Sequence, residues 1–197
     1  VYPFTPQPAI TQALLTVAEC PVFVGVGGGT TTGKRSVQMA AVSEMQGAAG
    51  CVVNSPATAE MVEHITNIAD IPVIATVVRC DDDAHAKVRA GAKILNIAAG
   101  KNTPQVLREL REHYPNLPLI APGGKTPESI RETIAAGANA IIWTPPSAQQ
   151  LQTDMMQRYR KMKEDATPVI SRDDVPIIDQ VAAAEVSQVE NMNPDVP

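Results

Sequence analysis

Six short apolar runs, each followed by a segment with helical periodicity, constrain the fold of this 197-residue chain more than any other feature. The runs are continuous rather than alternating, which is typical of strands that are buried on both faces of a parallel sheet. Short connections join each run to the next helix. The alternation therefore predicts a parallel sheet with helices packed outside it. The runs span residues 22–26, 51–54, 72–78, 94–97, 118–121 and 140–143.

A local repeat indicates which parallel sheet this is. Ala-Gly-Ala precedes the fourth and sixth runs, and Thr-Pro or Ser-Pro follows several of the runs. This self-similarity predicts an α/β protein with an aldolase-type (β/α) barrel, similar to a TIM barrel. Such a barrel has eight strands, and the sequence shows six. Three alternatives stay open: the first two strands are missing or disguised near residues 1–8, the barrel is incomplete with six to seven strands, or the sheet is open.

The sequence predicts two regions. Residues 1–165 form the barrel domain. Residues 166–197 contain scattered prolines and acids, with one apolar helical stretch at 177–189. They are predicted to be a C-terminal tail, or helical extension, that packs on the barrel or on a neighbouring subunit.

Composition excludes several classes of partner. The net charge is −5, Lys and Arg do not cluster, and aromatic residues make up 3% of the chain, so nucleic acid is not expected as a partner. The apolar runs fall short of the ~18 residues that a membrane helix needs, so no membrane partner is expected. We find no secretory leader, and three cysteines without metal-site spacing indicate free thiols, which together predict a cytoplasmic protein.

Two adjacent glycines, Gly123 and Gly124, follow the fifth run and precede a helical pattern. Glycines let backbone amides approach a ligand, and Thr126 and Pro127 suit the N-cap and the first helical position. Amides at the start of a helix bind anions. The segment therefore predicts a site for phosphate or carboxylate formed by Gly123, Gly124 and Thr126. A plain strand-to-helix turn is the alternative explanation of the same residues.

A second glycine loop follows the first run. It contains Gly28 and Gly29, to which we assign a further anion-binding role, and it ends at Gly33-Lys34-Arg35. The spacing approaches a nucleotide-binding P-loop, but that motif requires Ser or Thr where Arg35 stands. Nucleotide binding through residues 28–34 is therefore kept as an alternative function.

Polar residues lie at or just beyond the C-terminal ends of the runs, where a barrel has its active-site mouth. The basic side chains could neutralise an anion, and the amides could hold a carbonyl or hydroxyl group. The predicted catalytic residues are Asn96, Arg79 and Lys125, and the predicted substrate pocket contains Asn54, Thr76 and Thr144. No metal or cofactor is predicted. The acidic run at 81–83 is interpreted as a helix cap, Cys80 as buried filler, and His85 as solvent-exposed.

Several segments together resemble the 2-keto-3-deoxy-6-phosphogluconate aldolase family. Residues 24–28 are similar to its third strand, 52–56 to its fourth, and 91–96 to its sixth. Pro-Gly-Gly-Lys-Thr-Pro-Glu at 122–128 resembles its phosphate loop. The resemblance, over roughly residues 22–146, implies a barrel that acts on an anionic keto compound.

The departures from that family limit what the resemblance implies. The family forms a Schiff base through a lysine on the sixth strand, and Asn96 stands at that position. Residues 144–146 are Thr-Pro-Pro, and proline has no N–H to offer a phosphate. We therefore expect a lyase- or isomerase-like enzyme for a small anionic metabolite, without an imine. A non-catalytic ligand-binding or regulatory barrel is the alternative, and a barrel short of strands predicts a homo-oligomer.

Overall fold

The computed structural model describes residues 6–124, 126–144 and 146–164. The chain divides into two compact units, the first ending at Thr144 and the second beginning at Pro145. Three predictions fall outside the described residues: the C-terminal tail at 166–197, a disguised strand within residues 1–5, and the position of Lys125. Residues 6–7 are not in a strand, and a helix begins at Pro8.

All strands of the first unit belong to one parallel sheet, in which they lie in the order in which they occur in the chain. Because each crossover between parallel strands is right-handed, this sequential order keeps the helices on one side and curls the sheet into a half-barrel. The predicted α/β class and barrel-like fold are confirmed. The strands are β1 (Phe23–Gly27), β2 (Gly50–Val53), β3 (Val73–Val77), β4 (Ile94–Ile97), β5 (Leu119–Pro122) and β6 (Ala140–Ile142).

Helices alternate with these strands as the periodicity predicts. The helices of the first unit are α1 (Pro8–Val17), α2 (Gly33–Met45), α3 (Ala59–Thr66), α4 (Asp82–Arg89), α5 (Thr103–His113) and α6 (Pro127–Ala135), with a 3-10 turn at Gly100–Asn102. The second unit contains α7 (Ala148–Glu164), which has an apolar stripe. None of the described helices has the length and apolarity needed to cross a bilayer.

The two faces of the sheet differ. Alternate residues of each strand point toward the helices and form the core of the unit, with Val26, Val53 and Leu95 fully buried there. The residues between them line the concave face of the half-barrel. That face is apolar but less covered: Ile94 and Ile120 are half-buried, and Phe23 is 47% exposed.

Side-chain caps set several helix starts. Asp81 accepts a hydrogen bond from the amide of Ala84 at 3.0 Å, which confirms the interpretation of the acidic run as a cap. Helix α3 begins at Ala59, three residues after the Ser-Pro pair at 55–56, although proline suits the first helical position. Residues 54–57 form a turn instead, closed by the amide of Ala57 donating to the carbonyl of Asn54, and Thr58 caps the helix.

Candidate functional site

Three polar side chains occupy neighbouring strands at one level of the concave face. Thr76 pairs in register with Asn96, and Val53 pairs with Ala75, so Asn54 lies one residue beyond β2 at the level of Thr76. Alternation places all three on the face opposite the helix-packed core. We call Asn54, Thr76 and Asn96 the polar row. It runs across β2, β3 and β4 near their C-terminal ends, where a barrel has its mouth.

Asn96 has an amide group that is only partly satisfied. Its Nδ2 donates to Oγ1 of Thr76 at 3.1 Å, and its Oδ1 is buried without a hydrogen-bond partner among the described residues. If the amide is turned over, the Thr76 hydroxyl can donate to Oδ1, and Nδ2 is then left unpaired. In either orientation one amide atom is free to bind a further group. Because a buried polar atom without a partner costs roughly 1–3 kcal/mol, a further hydrogen-bond partner for this atom would be stabilising, although almost none of the atom's own surface is exposed.

The glycine loop after β1 lies against Asn54. The amide of Asn54 donates to the carbonyl of Gly27 at 2.8 Å, and the amide of Gly28 donates to Thr31 at 2.8 Å. A Cβ at Gly28 would lie 2.8 Å from the Asn54 nitrogen, and one at Gly29 would lie 3.5 Å from its Nδ2. The structure thus brings together Gly28, Gly29 and Asn54, which the sequence assigns to separate motifs.

A cavity of about 620 Å³ opens beside this loop, between α1 and β1. We call it the α1–β1 cavity. Asn54, Gly29, Thr30 and Thr31 form its polar end, while its remaining described lining is mainly apolar. The described lining residues are Pro6, Gln7, Ile10, Thr11, Leu14, Val22, Phe23, Val24, Gly25, Gly27, Gly29, Thr30, Thr31 and Asn54. The cavity and the polar row share Asn54.

The turn at Gly123 and Gly124 has a packing reason of its own. A Cβ on Gly123 would lie 2.6 Å from Cγ2 of Ile141, and Gly124 has a φ of 78° and faces Ser129. Thr126 and Ser129 form a capping box in which each side chain accepts from the other's backbone amide, at 3.2 Å. The predicted cap at Thr126 is confirmed. Because the box occupies two amides of this helix start, fewer remain for an anion.

Two other predicted site residues, Arg79 and Thr144, lie in loops and are not part of the polar row. Arg79 is exposed in the loop two residues beyond β3, and Thr144 is exposed two residues beyond β6. Lys34 lines a second cavity of about 600 Å³ between α2 and α3, together with His64. A P-loop requires its glycine amides and its lysine to face one phosphate chain. Here Gly29 lines the first cavity and Lys34 lines the second, which does not favour a P-loop.

Sequence reasoning missed the buried side chain of Lys87. Its Nζ donates to the carbonyl of Ser55 at 2.7 Å and pairs with Asp83 at 2.7 Å, and the lysine side chain is 0% exposed. The ammonium group joins α4 to the loop that follows Asn54. The i, i+4 spacing from Asp83 indicates the ion pair, but nothing in the sequence signals burial, because a lysine on an amphipathic helix normally extends into solvent.

The exposure of His85 differs from what the sequence predicts. His85 is half-buried rather than solvent-exposed, because its Nδ1 forms a hydrogen bond of 2.7 Å with Oη of Tyr114. Its Nε2 lies 3.9 Å from Sγ of Cys80, which is itself half-buried. Burial, together with Glu109 and other nearby acids, raises the pKa of the Cys80 thiol. Cys80 is therefore a neutral thiol at pH 7 and not a preformed thiolate nucleophile.

The cysteines carry no disulfide in the described structure, as the sequence predicts. Cys51 lies in β2 on the helix-packed face and is fully buried. Burial raises the pKa of its thiol to about 11. Like Cys80, Cys51 is thus a protonated side chain at neutral pH, and Cys51 serves as a small apolar core residue.

The sequence matches no protein-family model and no curated protein. The fold does match solved structures. Phosphoenolpyruvate phosphomutase from Streptomyces platensis subsp. rosaceus aligns at 16% identity over 93% of this chain and 77% of that chain, with a TM-score of 0.64. Phosphonopyruvate hydrolase aligns at 15% identity over 93% and 75%, with a TM-score of 0.62.

A third match is 2,3-dimethylmalate lyase, described as a PEP mutase/isocitrate lyase superfamily member. It aligns at 15% identity over 93% of this chain and 75% of that chain, with a TM-score of 0.60. At such identities the likeness shows the fold alone, a curled parallel β/α fold similar to a TIM barrel. The barrel implied by the aldolase resemblance is thereby confirmed, and the aldolase family itself stays a prediction.

The polar row does not fit a magnesium ion. Another structure of phosphonopyruvate hydrolase is a complex with oxalate and Mg²⁺, and Mg²⁺ sites in proteins use carboxylates and near-octahedral oxygen ligands. Within the described ranges, no group of three or more His, Cys, Asp or Glu side chains is placed to hold a metal ion. The row offers two amides and one hydroxyl group, which suit hydrogen bonding instead.

Proposed function

We propose that this chain binds a small anionic carbonyl compound at the polar row, as a lyase- or isomerase-like enzyme that uses neither an imine nor a metal ion. The observation that carries the proposal is the unpaired amide atom of Asn96 beside Thr76. A polar pair on an otherwise apolar concave face is the pattern expected of a site that fixes the orientation of a small ligand. In this proposal Asn54 and Asn96 hold the carbonyl or hydroxyl oxygens.

The amide and hydroxyl groups of the polar row are suited to binding the ligand and to polarising its carbonyl group. Neither an amide nor a hydroxyl group exchanges a proton readily at pH 7, so the row does not act as a general base. When the amide of Asn96 is turned so that its Oδ1 accepts from the Thr76 hydroxyl, its Nδ2–H can donate to a ligand carbonyl oxygen and stabilise partial negative charge on that oxygen. Arg79, exposed at the same edge of the sheet, is proposed to attract the carboxylate of the ligand.

A non-catalytic binding barrel is the second candidate, and one observation favours it. In the strands as described, the concave face carries no titratable side chain at the level of the polar row. Such a site would hold a carbonyl compound without a group to move its proton.

The predicted homo-oligomer also stays a prediction, consistent with the exposed apolar side chains at the open edges of the half-barrel.

Replacing Asn96 with leucine tests the proposed function. In calorimetric titrations with pyruvate and 2-oxobutanoate, we expect Asn96→Leu to weaken binding by about tenfold or more, because the ligand loses a buried hydrogen bond. Leucine suits the apolar neighbours Ile94 and Ile120, so the variant should keep its melting temperature. EDTA should leave the affinity of the unmodified protein unchanged.

The control is Asn116→Leu, which removes an exposed loop amide and should bind like the unmodified protein. Equal affinity of Asn96→Leu and the unmodified protein would contradict the proposed function. Binding of ATP, lost in Lys34→Ala, would favour the nucleotide alternative. Binding of the oxo acids without any turnover over hours would favour the non-catalytic barrel.

A further inference from the structure

We infer that the α1–β1 cavity receives an aliphatic chain carried by the ligand whose carbonyl acid end lies at the polar row. This inference rests on the proposed function and narrows it to one substrate class, the 2-oxo acids with an extended apolar substituent. The shared residue Asn54 supports it, because the cavity and the row meet there and a single molecule can occupy both.

The walls of the cavity are suited to an apolar chain. Ile10 and Leu14 of α1 are each 41% exposed, and Phe23 of β1 is 47% exposed, although all three line a concave space. Covering such side chains removes apolar surface from water and is favourable. An apolar segment of a ligand is therefore stabilised where these three side chains meet.

The charge of the lining excludes a second anionic group deep in the cavity. None of its described lining residues is Lys, Arg, His, Asp or Glu. A phosphate group placed among Ile10, Leu14 and Phe23 would lose its hydration without gaining a cation, which is costly. The cavity thus favours a ligand with an uncharged apolar chain over one with a phosphate group on that chain. Of the two anions that the sequence leaves open, phosphate and carboxylate, this favours a carboxylate ligand.

Gly25 leaves the floor of the cavity open. It lies in the middle of β1, lines the cavity, and a Cβ built on it would meet nothing within 4 Å. Its backbone is not in the left-handed region, so a side chain can be added there without strain. A larger residue at this position would fill space that the structure leaves empty.

The direction of β1 sets the direction of the ligand. The strand runs from Phe23 to Gly27, and its C-terminal end is the end at which Gly29, Thr31 and Asn54 form the polar part of the cavity. From Phe23 to Gly27 the backbone rises about 13 Å, at 3.3 Å per residue. A carboxylic acid bound at the rim would therefore extend its chain past Gly25 toward Phe23, along the length of the strand.

A chain-length series tests the inference. Calorimetric affinities are measured for unbranched 2-oxo acids from pyruvate to 2-oxooctanoate with the full chain. We expect the affinity to rise about fourfold for each added methylene group, as it does when a methylene is transferred from water to an apolar site. The Gly25→Leu variant should bind pyruvate like the unmodified protein and should lose the rise for the longer acids.

Matched variants separate the outcomes. Ala140→Leu adds the same side chain on the same face at the opposite edge of the sheet and should keep the chain-length series. Leu14→Trp narrows the cavity from the helix side and should also lose the rise, which covers the case in which Gly25→Leu fails to fold. If pyruvate binds through Asn96 but longer acids bind no more tightly, the inference is overturned and the proposed function stands. If no acid of the series binds, both are overturned.

Discussion

Replacing Gly28 with valine is expected to lower the free energy of unfolding by about 3 kcal/mol. Gly28 has a φ of 96°, a conformation that side-chain-bearing residues rarely adopt. A Cβ there would lie 2.8 Å from the backbone nitrogen of Asn54 and 2.9 Å from Cβ of Ala57. Because these neighbours belong to the backbone and to a tight turn, they cannot move aside at low cost. Urea denaturation followed by circular dichroism measures the loss.

Gly33→Ala is the control for that measurement. Gly33 also has a positive φ, 57°, but a Cβ there meets nothing within 4 Å. Its replacement should cost only the backbone strain, about 1 kcal/mol. Equal losses for Gly28→Val and Gly33→Ala would show that Gly28 is not packed against Asn54, and the arrangement of the loop described above would then be wrong.

Lys87→Ala is expected to lower the free energy of unfolding by about 3 kcal/mol. The substitution removes a fully buried side chain, leaves the carbonyl of Ser55 without its donor at 2.7 Å, and deletes the ion pair with Asp83. Lys87→Met refills most of the volume but restores no donor, so it should recover only part of the loss, leaving about 2 kcal/mol. Thermal and urea unfolding of both variants give these values.

Lys93→Met is the matched control, since Lys93 is an exposed lysine close to Lys87 in sequence. Its effect should stay within about 0.5 kcal/mol. A Lys87→Met variant more stable than the unmodified protein would mean that the cost of burying the ammonium exceeds what its contacts return. Lys87 would then not be a stabilising link between α4 and the loop after Asn54.

The strand-helix alternation was sufficient to predict the half-barrel, because parallel strands buried on both faces have a distinctive apolar pattern. Strand β4 lies at Ile94–Ile97, where the sequence predicts it. Helix starts were less predictable: Pro56 suits the first turn of a helix, yet the hydrogen bond from Ala57 to Asn54 closes a turn there. Local propensity allows both conformations, and tertiary contacts decide between them.

The members of the site could be named from the sequence, but their grouping could not. Asn54 ends an apolar run, and Thr76 and Asn96 lie within the last three residues of theirs, which identifies them as rim residues. Their alignment in one row depends on strand register, which is set by packing across the sheet and has no signal in a single strand. The burial of Lys87 and His85 could not be predicted for a related reason. Each is held by a partner distant in the sequence, Ser55 for Lys87 and Tyr114 for His85.

Whether the polar row binds the ligand can be measured by a nuclear magnetic resonance titration of protein labelled with ¹⁵N-asparagine. Pyruvate is added, and the side-chain amide signals of all asparagines are followed in the same spectra. We expect the signals of Asn54 and Asn96 to shift in a saturable manner, while those of Asn67 and Asn116, which lie in turns away from the row, stay in place. Unchanged Asn54 and Asn96 signals, with saturable shifts at other residues, would show that pyruvate binds elsewhere and not at the polar row.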